Sequence, residues 1–261
     1  MRTAVRISAA TAAGGASANE DHLLVSQEWA LVLDGVTRYP DDGCVHDVPW
    51  YVASLGAALA AELASGEEVR EALRHGIAAV TERHRRTCDV ANPVTPAATV
   101  AIARFGGAAF EWLVLGDSAV VLDRVGADPR VESDDRLARL PDPPRAEVVG
   151  AVRRYPVDYI AKTRNRPGGF WVAAADPDAA DEALTGREPI DQLETAALVT
   201  DGVTRLSERY GRGWAELLDL AASGGAQRLI SEVRRAERAD RRFGPRAKRH
   251  DDATAVLIGF G

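Results

Sequence analysis

Cysteine is scarce: Cys44 and Cys88 are the only two in 261 residues. Two thiols cannot build a disulfide scaffold, and both are expected to be free and reduced. No apolar run approaches the ~20 residues of a membrane span, and the opening MRTAVRISAATAAGG has no signal-peptide core. A cytoplasmic protein that does not enter a membrane is expected. Lysine is nearly missing, with two against thirty arginines, which speaks of a GC-rich genome rather than of chemistry. Positive charge is in deficit overall: 39 Asp and Glu against 32 Lys and Arg leave a net charge of −7, which argues against a dedicated nucleic-acid binder. What is present is ordinary for a globular protein, 46% hydrophobic and 27% charged, in a chain long enough to bury a substantial core.

Short apolar runs at 22–26 and 29–33 read as strands joined tightly through Gln27-Glu28. A helix over 49–63, apolar around most of its circumference, and an amphipathic one over 67–84 follow, separated by Ser65-Gly66. Strands resume at 98–104, 109–115 and 119–124, with Gly106-Gly107 as a hairpin signal. Prolines, arginines and aspartates then crowd the chain, and 126–169 reads as an irregular, flap-like excursion. A strand at 170–175, a helix opened by Asp176-Pro177 and ending near Gly186, a strand at 196–200, helices at 214–222 and 226–241, and a last strand at 253–260 complete the order. This is α+β with largely antiparallel pairing, in one domain spanning 1–261. The basic stretch 228–249 reads as a solvated helix face and loop.

One internal echo carries the chemistry. Residues 30–38 read ALVLDGVTR and residues 197–205 read ALVTDGVTR. Each is a buried strand running into Asp-Gly, so the strand core fixes the aspartate and the glycine lets the backbone turn. Glu20-Asp21, Asp117 and Asp251-Asp252 stand at similar strand ends. Any one such aspartate is explained by turn preference. Clustered, they would repel one another unless hard divalent cations relieved the charge, and Mg²⁺ or Mn²⁺ favours such oxygen ligands.

The ordered set Asn19-Glu20-Asp21, Asp34-Gly35, Thr95-Pro96-Ala97-Ala98-Thr99, Gly116-Asp117-Ser118, Thr200-Asp201-Gly202 and Asp251-Asp252-Ala253-Thr254 resembles the metal-dependent type 2C (PPM) serine/threonine protein phosphatases, as a divergent bacterial member. The resemblance implies a four-layer α-β-β-α sandwich of two mainly antiparallel sheets flanked by helix pairs. It implies two Mg²⁺ or Mn²⁺ ions with a weaker third. It also implies metal roles for Glu20, Asp21, Asp34, the Gly35 carbonyl, Asp117, Asp201 and Asp251: Asp34 bridging, Asp201 and Asp251 completing the first site, Glu20 and Gly35 serving the second, Asp21 orienting water and Asp117 supporting the third ion. Asp34, Asp201 and Asp251 are the expected catalytic set, and 126–169 stands where the family carries its variable flap.

Departures from the family pattern leave the metal cage intact and fall on the phosphate contact and on the histidine that some members use to protonate the leaving group, which is missing here. Ala16 stands where the family often has arginine, Asp34-Gly35-Val36-Thr37-Arg38 lacks the usual following glycines, and Gly116-Asp117-Ser118 is followed by Ala119 rather than arginine. Phosphate needs a cation in reach, and Arg38, Arg164 and Arg166 are the candidates. His46 is a candidate proton donor and His250 a candidate partner of a ligand or water. The expected activity is phosphomonoester hydrolysis by a monomer acting on a phosphorylated protein. The alternatives are a catalytically weak pseudophosphatase that binds a phosphorylated partner, and a phosphatase of small phosphoesters.

Overall fold

The computed structural model describes residues 5–149, 152–242 and 249–261. The chain opens with strands β1 (Val5–Ala12), β2 (Asp21–Val25) and β3 (Trp29–Gly35), then helices α1 (Val48–Ser65) and α2 (Val69–His84). Strands β4 (Ala98–Arg104), β5 (Ala109–Leu115), β6 (Ala119–Arg124) and β7 (Arg130–Ser133) follow, then the hairpin of β8 (Glu147–Val149) and β9 (Val152–Arg154) and helix α3 (Val157–Thr163). The last third holds β10 (Leu184–Pro189), β11 (Leu193–Val199), α4 (Asp201–Glu208), α5 (Trp214–Gly224), α6 (Ala226–Ala239) and β12 (Ala253–Phe260).

Two five-stranded antiparallel sheets result, in the orders β1-β12-β11-β6-β7 and β10-β5-β4-β3-β2. Alternation along each strand divides the core into layers. Ala30, Val32, Ala101, Val114, Val120, Leu122, Leu198, Val256 and Ile258 fill the space between the sheets. Leu31, Leu33, Val100 and Ile102, one residue out of phase, turn outward to pack under Leu55, Leu59, Leu73 and Ile77 of α1 and α2. Ala197, Val199, Ala255 and Leu257 do the same on the other side, under Val203, Leu217, Leu229 and Val233 of α4, α5 and α6. The four layers expected from the sequence are these.

Local signals fix the first helix pair. Asp47 accepts from the Trp50 amide at 2.9 Å with proline inside the first turn, and Gly66 closes α1 in the left-handed conformation, φ 88°. Glu68 caps α2 by accepting from the Arg70 amide at 2.9 Å.

Several expectations are corrected. The N-terminal segment forms β1 and pairs along its whole length with β12; its small side chains hide the strand alternation. Residues 170–175 form no full strand, only isolated bridges at Ala98–Ala173 and Arg164–Phe170, because the Asn165 side chain takes the place of a partner strand, accepting from the Val172 amide at 2.9 Å and donating to its carbonyl at 3.0 Å. The helix expected from Asp176-Pro177 is a 3-10 helix over Pro177–Glu182, and the chain then pairs as β10 on the edge of β5. Gly186 faces Trp112 so closely that a Cβ there would lie 2.3 Å from the indole, so a bulkier strand residue would not fit. Cys44 and Cys88 are joined in a disulfide rather than free, with Cα atoms 4.2 Å apart. The loop after β3 folds back onto the end of α2, where the Asp89 amide donates to the Gly43 carbonyl at 2.8 Å.

The excursion at 126–169 is better ordered than its composition suggests. Leu140 and Ile160 join Tyr39, Val94, Ala97, Phe170 and Val172 in a small core of their own, and Asp134, nearly buried, is held by Arg136 at 2.7 Å. Residues 150 and 151 of that excursion, and 243–248 of the basic stretch, lie outside the described residues.

Candidate active site

The apolar rows between the sheets end in polar residues at one edge. Asp34 continues the row of Ala30 and Val32, and directly faces Asp21 on β2 and Thr99 on β4. Thr200 and Thr254 continue the rows of Leu198 and Val256 on the other sheet. Asp21 lies inside this cap: its Oδ2 accepts from the Thr200 hydroxyl at 2.9 Å, and its Oδ1 is buried with no hydrogen-bond partner.

Both Asp-Gly glycines serve close approach. A Cβ at Gly35 would lie 2.7 Å from the Glu20 carbonyl oxygen, and the Gly35 amide donates to that oxygen at 3.0 Å. A Cβ at Gly202 would lie 1.8 Å from the Asp252 carbonyl oxygen. Each glycine therefore lets a second acid-bearing segment lie against its aspartate: Glu20 beside Asp34, and Asp251-Asp252 beside Asp201. Gly116, at φ 83°, makes the left-handed turn that presents Asp117 between β5 and β6. Asp252 ties the edge together, accepting from the Gly14 amide through Oδ1 and from the Glu20 amide through Oδ2, both at 2.6 Å.

These segments open onto a cavity of about 330 Å³. Its lining includes Glu20, Asp34, Gly35, Asp117, Asp201, Asp251 and Asp252 from the sheet edge, and Tyr39, Asp134, Tyr155, Ile160, Phe170, Trp171, Arg154 and Arg164 from the loops and the excursion. Burial raises the Asp34 carboxyl well above the usual range, and the charges of Asp21, Asp201, Asp117 and Asp251 push it further. Asp21 is raised to about 7, by burial first, against the lowering hydrogen bonds of Thr254 and Thr200. Burial and then Asp251 raise Asp201, which lies within hydrogen-bonding reach of Asp34. Asp117, still solvent-exposed as a residue, moves the same way because protein atoms crowd its carboxylate, with Asp201 second.

The second copy of the echo contains a residue that sequence reasoning passed over. Arg205 closes ALVTDGVTR, and because Asp201 starts α4 it lies one helical turn from that aspartate. Its guanidinium hydrogen-bonds Asp251, approaches Asp201 to 3.7 Å and contacts Glu237 at 3.3 Å. The signal was in the echo itself: arginine at the same offset from both Asp-Gly pairs. Arg38, in the first copy, is followed by loop rather than helix. It turns to Asp42 at 2.5 Å and to the Cys44 carbonyl, away from the cavity. Arg166 is exposed and outside the cavity. Of the three arginine candidates only Arg164 reaches it. His46 stacks on Trp50 with ring centroids 3.8 Å apart, and His250 is bound to Glu237 at 2.6 Å; neither lines the cavity.

The donor set fits hard divalent cations. Carboxylates from five chain segments and the Gly35 backbone line the cavity with oxygen ligands of the kind Mg²⁺ and Mn²⁺ prefer; Asp21, expected to orient a metal-bound water, does not line it, and its unpartnered Oδ1 is buried. The acidic side chains are not drawn into a tight three-way cluster; among the described residues the group that comes so close is Glu62, Glu67 and His75, at the turn between α1 and α2 and outside this cavity.

Comparison with known proteins gives the fold a context. No family model and no curated protein sequence matches the chain. Among solved structures, the chain is similar to the Mycobacterium tuberculosis serine/threonine phosphatase PstP, with a TM-score of 0.63 at 18% identity over 98% of both chains, of which a structure in complex with two manganese ions is also known. It is similar to the PPM Ser-Thr phosphatase MsPP of Mycobacterium smegmatis, with a TM-score of 0.60 at 17% identity over 98% of both chains. A C. elegans sex determining protein matches 98% of this chain but only 64% of its own length, at 15% identity and a TM-score of 0.59. The two five-stranded sheets, their helical layers and this full-length superposition give the chain the fold of the PPM serine/threonine phosphatases.

Proposed function

We propose that the chain is a divalent-metal-dependent phosphomonoester hydrolase acting on phosphoserine or phosphothreonine in proteins. The observation that carries this reading is the meeting of Glu20, Asp34, Asp117, Asp201 and Asp251, from five separate strand ends, in the lining of a single cavity. So many mutually repelling carboxylates, several already pushed toward protonation, call for cations. Asp34, Asp201, Asp251, Glu20 and the Gly35 carbonyl would hold two ions, and Asp117 would hold a weaker third. Bound there, Mg²⁺ or Mn²⁺ would supply Lewis-acid stabilisation of the phosphoryl group and activation of the attacking water.

The chain's own residues do the positioning. Asp252 aims Glu20 by holding its amide. Thr200 and Thr254 hold Asp21 by hydrogen bonds behind Asp34, where its charge acts on the Asp34 carboxylate. The walls of Tyr39, Ile160, Phe170 and Trp171 restrict bulk water around the reacting ester. In the Mn²⁺-supplemented protein, Asp34→Asn and Asp201→Asn are each expected to lower para-nitrophenyl phosphate turnover by at least about a hundredfold. Near-normal turnover in both refutes the assignment.

One observation favours a second reading, a phosphoprotein-binding pseudophosphatase. Arg205 already lays a positive charge on Asp251 and Asp201, where the first metal would sit. Measurable phosphopeptide binding by a wild-type protein that hydrolyses nothing in Mn²⁺ selects this reading over the enzyme.

A further inference from the structure

The cavity carries charge of both signs. The same lining holds two arginines from the excursion: Arg154 at the end of β9 and Arg164 just after α3. Neither has a carboxylate partner among the described residues. Arg164 is only 7% exposed, yet its one side-chain hydrogen bond runs from Nη2 to the Thr95 carbonyl at 2.7 Å. The rest of that fork has no acceptor among the described residues. Arg154 lies over the Tyr39 ring at 5.7 Å, and its Nε is buried with no acceptor. Both positive charges act on the Tyr39 phenol, opposing the upward push of burial on it, so the two guanidiniums converge on one part of the wall. Burial lowers Arg164 to about 10, which leaves it charged at neutral pH. A buried cation without a counter-ion is costly unless an anion completes it.

We propose that Arg154 and Arg164 form the anion clamp of this cavity, gripping the non-bridging oxygens of a phosphomonoester from the excursion. The clamp rests on the hydrolase reading for its substrate, but not for its ability to bind phosphate. Arg38 and Arg205 do not compete for the role, because their forks are filled by Asp42 and by Asp251 and Glu237 respectively. Planar forks suit the task, since each can present two parallel N–H groups to a tetrahedral oxyanion. Their placement also gives the excursion a chemical role.

The test is inorganic phosphate titrated by calorimetry into the Mg²⁺-loaded protein, alongside KM and kcat for para-nitrophenyl phosphate. Arg164→Ala and Arg154→Ala are each expected to weaken phosphate binding about tenfold or more and to raise KM by a similar factor, with kcat changed less. Arg164→Lys should recover part of the affinity, since charge without fork geometry is retained. Arg85→Ala, an exposed arginine at the end of α2, should change nothing. Because Arg164 is buried, each variant's melting temperature is compared with wild type, and Arg154→Ala, at a less buried residue, decides the matter if Arg164→Ala does not fold. Wild-type phosphate affinity in a folded Arg154→Ala variant, or in a folded Arg164→Ala variant, overturns the clamp. An inert wild type whose phosphate binding still depends on both arginines keeps the clamp and sinks the hydrolase reading; active variants with unchanged KM do the reverse.

Discussion

At the residue scale, the site depends on a carboxylate outside the proposed set of metal ligands. Asp252 follows the expected ligand Asp251, and both of its oxygens are taken by backbone amides, those of Gly14 and Glu20 at 2.6 Å. It is a splint between the chain's N-terminal loop and its last strand. Asp252→Ala strips two partly buried amides of a charged acceptor and is expected to cost about 2 kcal/mol or more in urea unfolding. Asp252→Asn keeps one acceptor oxygen and should lose less. Equal stability of all three proteins would show that the splint carries no load. Arg205 makes the complementary point. Its position in the echo was visible in the sequence, but whether it would face the acids could not be read there. That depends on helix beginning at Asp201, whereas loop follows Asp34, and the two copies are identical in sequence from the aspartate onward. Context beyond the motif decides the direction of the side chain.

At the element scale, each Asp-Gly pair ends a strand beside the segment that leads into the neighbouring strand of the same sheet, β2 for Gly35 and β12 for Gly202, and the glycine is the tolerance of the joint. Gly202→Ala would set a Cβ 1.8 Å from the Asp252 carbonyl oxygen, and backbone cannot yield as a side chain can. We expect a loss of about 1–3 kcal/mol and weaker Mn²⁺ binding, because the strand end carrying Asp251 must move. Gly15→Ala, with nothing within 4 Å of the added atom, is the matched control, and equal melting temperatures for the pair would count against the close-approach account. Elements with a strong period were legible: β4, β5, β6 and β12 fall on the residues their apolar patterns predict. What escaped reading depended on partners distant in the chain. Strand β1 is recognisable only beside β12, β10 only beside β5, and the 44-residue separation of Cys44 and Cys88 says nothing of the fold that brings them together.

At the scale of the whole molecule, the sandwich gathers charge at one edge and must hold it there. Asp21, Asp34, Asp117 and Asp201 all have carboxyl groups raised above their ordinary values, by burial first and then by neighbouring aspartates, Asp251 and Asp252 among them. An acid whose folded value lies above its unfolded one keeps a proton that the unfolded chain has already shed. Native protein therefore binds more protons, and stability falls as pH rises from near the ordinary carboxylate value of 3.8 through the folded value, about 7 for Asp21. The metal-free protein should accordingly melt at a lower temperature at about pH 7.5 than at about pH 5, and Asp21→Asn should flatten part of that decline. Mn²⁺ or Mg²⁺ competes with protons for the same oxygens, so its stabilising effect should be larger at the higher pH. The measurement is a melting curve with chelator and with added cation at both pH values. A melting temperature indifferent to both pH and cation would mean that the acidic edge is not under electrostatic load, and with it would go the reason for placing metals there.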